Sequence, residues 1–126
     1  MSARNDSSPA LLVACLCAGW CTACQAYGAV FTQVALGHPQ ARFVWVDIEE
    51  HSDVLGEAAL DIENFPTVML LREGQALFYG TVLPHAGTLA RMVEAATAGN
   101  LATGQPCPAG FATTVATLCE QLPSAA

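Results

Sequence analysis

The chain has 126 residues, of which 53% are hydrophobic and only 12% charged, and its net charge at neutral pH is −7. That length suits one domain around one core, and the apolar content excludes a disordered chain. Lysine is absent and the basic residues are Arg4, Arg42, Arg72 and Arg91, so there is no basic stripe, and neither nucleic acid nor an anionic membrane surface is expected as a partner.

Residues 1–9 are polar, with Asn5, Asp6, Ser7, Ser8 and Pro9, and read as a disordered tail. Leu11-Leu12-Val13-Ala14-Cys15-Leu16-Cys17 is apolar on both faces, which predicts a central strand covered from both sides. Within it, Leu12-Val13-Ala14-Cys15 is similar to the site at which bacterial lipoprotein signals are cut. A signal also needs a basic region and an apolar stretch of about 7 to 15 residues. Ser7, Ser8 and Pro9 precede only four apolar residues, so the segment is read as strand. No apolar run approaches the roughly 20 residues of a membrane span.

Tyr27, Val30, Phe31 and Val34 recur at helical spacing over Gln25 to Leu36, with Gly37 closing the helix and His38-Pro39 making the turn. Phe43 to Ile48 predicts a second strand. Ser52 or Asp53 is placed to cap a shorter helix with Val54, Leu55, Ala58 and Ala59 on its apolar face. After Asn64-Phe65-Pro66, Thr67 to Leu71 and Ala76 to Gly80 form strands joined at Glu73-Gly74, a hairpin. Leu89, Met92, Val93 and Ala96 mark a further helix ending near Gly99. The order β-α-β-α-β-β-α predicts a three-layer α/β/α domain over residues 10–99 with a mixed four-stranded sheet. Residues 100–126 form an extension in which Phe111, Val115, Leu118 and Leu122 stripe a short docked helix.

The chemistry concentrates in Gly19-Trp20-Cys21-Thr22-Ala23-Cys24, at the junction of the first strand and first helix. A helix N-terminus carries unsatisfied backbone N–H groups and partial positive charge, which favours a thiolate there. Three-residue spacing lets a second cysteine reach the first within one turn, as resolution of a mixed disulfide requires.

Trp20-Cys21-Thr22-Ala23-Cys24 after a buried strand, followed by Phe65-Pro66-Thr67 ahead of a hairpin, resembles the active-site landmarks of the thioredoxin-like family, over about residues 10 to 98. The resemblance implies a thiol–disulfide oxidoreductase with Cys21 as attacking thiol and Cys24 as resolving thiol, the two forming the redox-active disulfide. It implies that Trp20, Phe65, a cis-Pro66 and Thr67 bind substrate. Nine polar residues leave no room for the additional first strand and helix of full family members, so the chain resembles a shortened form of the fold. Where the family has a buried aspartate as proton acceptor for the resolving thiol, this chain has Cys15. The lysine that pairs with it is missing, and Val82 stands where a glycine is expected before the last helix.

The remaining candidates divide by chemistry. Cys15, Cys17, Cys21 and Cys24 together offer four thiols, a set that suits zinc or an iron–sulfur cluster. Alternation places Cys15 and Cys17 on one buried face, where core packing is the expected role, with Cys17 as a possible redox neighbour of the dithiol. Asp47, Glu49 or Glu50 is a stand-in for the missing aspartate or simply a solvated face. Cys107 and Cys119 either bridge the extension or stay reduced. His38, His51 and His85 show no ligand spacing, and Phe43 and Trp45 are core residues. No metal or organic cofactor is expected. The expected partners are protein disulfides or dithiols and an unidentified electron donor, with the protein a monomer in the cytoplasm, or in the periplasm if a signal has been trimmed or is cryptic. The alternatives to an oxidoreductase are a low-turnover binding or assembly module on the same fold, and a cysteine-ligated metal protein.

Overall fold

The first strand organises the molecule. The computed structural model describes residues 11–60, 62, 64–99, 101, 104 and 106–125; the predicted N-terminal tail lies outside them. β1 (Leu11–Cys17) pairs in parallel with β2 (Ala41–Asp47), from Leu11 opposite Ala41 to Cys17 opposite Asp47. On its other edge β1 pairs antiparallel with β3 (Thr67–Arg72), from Leu11 opposite Arg72 to Leu16 opposite Thr67. β4 (Gln75–Thr81) completes the four-stranded sheet in the order β2-β1-β3-β4. This is the mixed four-stranded sheet expected from the element order.

Alternation along β1 builds two cores. Leu11, Val13, Cys15 and Cys17 face α1 (Thr22–Gly37) and α4 (Ala86–Ala98), packing with Tyr27, Phe31, Val34, Leu89 and Val93. Ala14, Leu16 and Ala18 face the other way, toward α2 (Ser52–Leu55), α3 (Glu57–Leu60) and α5 (Phe111–Cys119), where Val44, Val46, Met69 and Leu71 join them. The apolar run along β1 is therefore explained by burial on both faces, and the helices carry one apolar stripe each.

Several boundaries differ from the expectation. α1 starts at Thr22 and includes Gly37, so Gly37 is its last residue and His38 caps it. The predicted 52–60 helix is two single turns. Gly56 between them, at φ 72° and ψ −157°, takes a backbone that interrupts α-helical hydrogen bonding. Neither Ser52 nor Asp53 caps it: His51 holds the N-cap position without a side-chain bond. The Asp47 carboxylate instead accepts the N–H groups of Glu49 and Glu50 at 2.9 and 3.2 Å, stabilising the turn that leads there. The hairpin turns at Glu73 and Gly74, both with positive φ (53° and 80°), the conformation that matches the right-handed twist of the flanking strands.

α5 sits on the β1, β3 and β4 face beside α2. Phe111, Val115, Leu118 and Cys119 are buried there, and the Phe111 ring meets Tyr79 edge to face at 5.8 Å. Its C-terminal end is tied to the edge strand. The Arg42 guanidinium donates to the carbonyls of Cys119 and Leu122, and Ala125 N–H donates to Phe43 O at 2.8 Å. Phe111→Ala should destabilise the protein by about 3 to 5 kcal/mol, the usual cost of an aromatic-sized core cavity. Chemical denaturation monitored by circular dichroism measures this directly.

Candidate active site

The register of β1 brings the two sequence motifs together. Leu16 pairs with Thr67, so one step further along these antiparallel strands Cys17 and Pro66 lie at the same end of the sheet. The Phe65–Pro66 peptide bond is cis. The chain leaves β1 through Ala18, Gly19 and Trp20. Cys21 N–H donates to Ala18 O at 3.1 Å, and the Gln25 side chain reaches back to Gly19 O at 2.8 Å. Those two bonds hold the loop against the first turn of α1.

Cys21 occupies the N-cap of α1 with extended backbone (φ −83°, ψ 121°), and no side-chain cap bond engages its sulfur. It is partly exposed and carries a free thiol. Cys24 is three residues on, facing inward and 1% exposed. Cys21 thus stands at the outside of the first helical turn and Cys24 on its inside, the division that the resemblance implies.

The bond itself is different. Cys24 is joined to Cys17, with the two Cα atoms 5.7 Å apart, and Cys21 stands free. The expected Cys21–Cys24 disulfide is therefore not the one this structure holds. The physical reason is parity: Cys17 ends β1 on the face that α1 covers, so its side chain meets the inward side of the helix where Cys24 lies. Cys17 is thus more than a core residue. The signal that could have found it was the odd numbering it shares with Cys15 on a strand packed under α1.

Cys15 is the core residue of the group. It is fully buried, its Sγ 3.7 Å from Cys17 Sγ. Since a disulfide sulfur carries no hydrogen, the Cys15 thiol is the donor of this weak contact. Burial pushes the Cys15 thiol far above the ordinary thiol range, so it stays protonated. Tyr27, next to Cys24 on the inner face of α1, is also fully buried, and among the described residues its hydroxyl has no hydrogen-bond partner. Burial raises its pKa first, and the nearby Cys15 adds to this. At the place of a proton acceptor the protein thus has a neutral sulfur. Asp47, the candidate substitute, uses one carboxylate oxygen on its own turn. Its other oxygen faces Gly19, close enough that a Cβ there would meet it at 3.4 Å.

Of the residues expected to bind substrate, two are accessible. Trp20 is 65% exposed and meets the half-buried Phe65 edge to face at 5.7 Å. Together they wall an open groove of about 470 Å³, completed by Ile48, Glu49, Ser52, Ala59 and Ile62. Pro66 and Thr67 are buried. Thr67 Oγ donates to Asn64 O at 2.6 Å and Pro66 O accepts Val82 N–H at 3.1 Å, so both serve the fold around the loop. Val82, buried beside Pro66, fills the position where a glycine would leave space.

The other candidates lie apart. Cys107 and Cys119 are both free thiols, and α5 is held by packing and Arg42 rather than by a bridge. Burial pushes Cys119 up to about 11, against the downward pull of Arg42, and burial also raises Cys107. His38 is half-buried, its Nδ1 2.9 Å from Val34 O and its Nε2 3.6 Å from Glu94; His51 pairs with Glu50 at 3.4 Å. Two of the four clustered sulfurs are bonded to each other, and among the described residues no group of three or more His, Cys, Asp or Glu is arranged to hold a metal ion.

A mixed sheet with a cysteine pair under the first helix and a cis-proline at the same end of the sheet defines a thioredoxin-fold protein. Solved structures agree on the fold. Fasciola hepatica thioredoxin superposes with a TM-score of 0.59 at 18% identity, covering 69% of this chain and 81% of that one. Oxidised thioredoxin from Plasmodium falciparum gives 0.56 at 20% identity, covering 68% and 79%. The chain belongs to the thioredoxin family: the family model Thioredoxin matches residues 3–95. It is 35% identical over 60 residues to a Thioredoxin H-type of Picea mariana, covering 48% of this chain and 46% of the relative. It is 31% identical over 75 residues to Thioredoxin H9 of Arabidopsis thaliana, covering 60% and 52%. The chain thus spans about half the length of these curated relatives. Among the described residues no helix is long and apolar enough to cross a membrane.

The buried thiols set an alkaline limit on stability. Below about pH 8.5 both the folded and unfolded forms keep Cys15 and Cys119 protonated. Above it the unfolded chain releases protons that the folded chain retains, so stability falls as pH rises, through about 11 for Cys119. Melting temperature should be flat from pH 6 to 8 and fall from 8.5 to 11. Cys15→Ala should lower it throughout but flatten the alkaline slope, as thermal melts across that range would register.

Proposed function

We propose that the protein is a thiol–disulfide oxidoreductase acting on protein disulfides, with Cys21 as the attacking sulfur. The observation that carries this reading is the free Cys21 thiol at the N-cap of α1, partly exposed beside the Trp20–Phe65 groove, with Cys24 buried beneath it. Cys21 bonds to one sulfur of the substrate disulfide and releases the other as a thiolate. Cys24 then attacks Cys21 Sγ and releases the remaining substrate sulfur. The substrate gains two electrons, the protein is left with a disulfide, and an external dithiol restores it.

The groove favours an extended polypeptide over a small disulfide. Trp20, Phe65 and Ile48 offer apolar walls, and Glu49 gives one side a negative charge. Phe65 is next to the cis-proline, where a substrate strand would pair through its backbone. On this reading residues 10–99 are the working unit, and α5 in the 100–126 extension shields the far face of the sheet. The four free thiols fit a reducing compartment such as the cytoplasm.

Insulin reduction with dithiothreitol as electron source tests the proposal. Cys21→Ser should lower the catalysed rate by about a hundredfold or more, because no other exposed thiol starts the exchange at the helix N-terminus. Equal rates for the variant and wild type would overturn the enzyme and leave a binding or assembly module on a thioredoxin fold.

A further inference from the structure

The mechanism above uses Cys21 and Cys24, yet the structure bonds Cys24 to Cys17. Both sulfurs of that bond belong to residues only 1% exposed, whereas Cys21 is partly exposed and reduced. Cys24 is thus the shared member of two pairs. On one side, Cys21 is its neighbour across the first turn of α1. On the other, Cys17 ends the strand beneath, at a Cα separation of 5.7 Å, within the span a disulfide needs.

We propose that Cys17 is a third redox thiol, and that Cys24 passes its disulfide from the exposed Cys21 to the buried Cys17. This rests on the oxidoreductase reading and extends it. After substrate turnover has produced a Cys21–Cys24 bond, Cys17 Sγ attacks Cys24 Sγ. The Cys17–Cys24 bond forms, the Cys21–Cys24 bond breaks, and Cys21 leaves as a thiolate. The proton lost by Cys17 matches the one that the released Cys21 sulfur can take up. No electrons enter or leave, so no further oxidant is involved.

Two consequences follow from burial. The oxidised protein keeps a reactive thiol at its surface, able to attack a second disulfide and form a mixed disulfide that Cys24 is not free to resolve. Return of the stored bond to the surface requires the reverse exchange, with Cys21 attacking Cys24, because neither Cys17 nor Cys24 is open to an external reductant. Transfer stops at Cys17: Cys15, 3.7 Å further in, is held as a neutral thiol by its apolar surroundings and donates its hydrogen to the Cys17 sulfur.

Trp20 provides a clean readout, because chymotryptic cleavage after it separates Cys17 from the segment carrying both Cys21 and Cys24. Wild-type protein oxidised with limiting diamide, acid-quenched, alkylated with N-ethylmaleimide and digested without reduction should yield two peptides joined through Cys17 and Cys24, with Cys21 alkylated. A single peptide looped through Cys21 and Cys24, with Cys17 alkylated, would overturn the relay while leaving the insulin result intact. Cys17→Ala should convert the first pattern to the second. In oxidised Cys21→Ser, reduction of the Cys17–Cys24 bond by glutathione should be about tenfold slower than in wild type or more. Equal rates would also overturn the relay, since the buried bond would then be reached directly. Loss of insulin reduction in Cys21→Ser together with a Cys21–Cys24 map would leave the enzyme standing without its third thiol.

Discussion

The reactive end of this protein depends on β1 being paired along both edges. Parallel pairing with β2 and antiparallel pairing with β3 leave β1 no freedom to slip, and a slip of one residue would turn every side chain to the opposite face. That constraint decides which core each cysteine enters. Cys15 and Cys17 point beneath α1, and Leu16 between them points toward α2 and α5. The same register carries Pro66 to the end of β1. The disulfide under the helix, and the cis-proline and groove at the same end of the sheet, are therefore consequences of one strand's hydrogen bonding.

Within that frame the site is chemically unusual for its family. Where the resemblance leads one to expect a carboxylate beneath the resolving cysteine, the chain has a buried thiol whose surroundings keep it neutral. A neutral sulfur cannot accept a proton from Cys24, but it can share a hydrogen with a sulfur neighbour, and it adds no buried charge that would need a partner. With lysine absent, the pairing cation is missing as well. In such an apolar, sulfur-rich environment a thiol must still lose its proton before it can attack, after which exchange hands one negative charge from sulfur to sulfur. The environment suits general acid–base assistance poorly.

The far side of the sheet is completed by the C-terminal extension. Leu16, Val46, Met69 and Leu71 would meet water along much of their surface if only the short turns α2 and α3 covered them. α5 supplies Phe111, Val115 and Leu118 to that face, and Arg42 gives up its charge-assisted hydrogen bonds to two carbonyls at the helix end, anchoring it to the edge strand. α5 itself packs on the opposite face of the sheet from Cys15, Cys17 and Cys24, so it supports β1 away from those sulfurs.

Much of this was legible in the amino-acid sequence because it rests on local pattern. The two-sided apolar run predicted a central strand, helical spacing found α1, α4 and α5, Glu73-Gly74 announced the hairpin, and Trp20 to Cys24 marked the strand–helix junction where the candidate dithiol lies. The break of the second helix at Gly56 is invisible in that pattern, since an apolar stripe of 54, 55, 58 and 59 reads the same whether the turns are continuous or not. The burial of Pro66 and Thr67, and the bonds they make to Val82 and Asn64, follow from the long-range packing of the loop and not from the local pattern. What the sequence by itself determined was the inventory: which thiols exist, how far apart they lie along the chain, and on which face of a strand or helix each falls. Which sulfur meets which was decided only by the tertiary structure. Sequence distance favours Cys21 for Cys24, but contact follows the packing of a helix on a strand, and that packing lays Cys24 over Cys17.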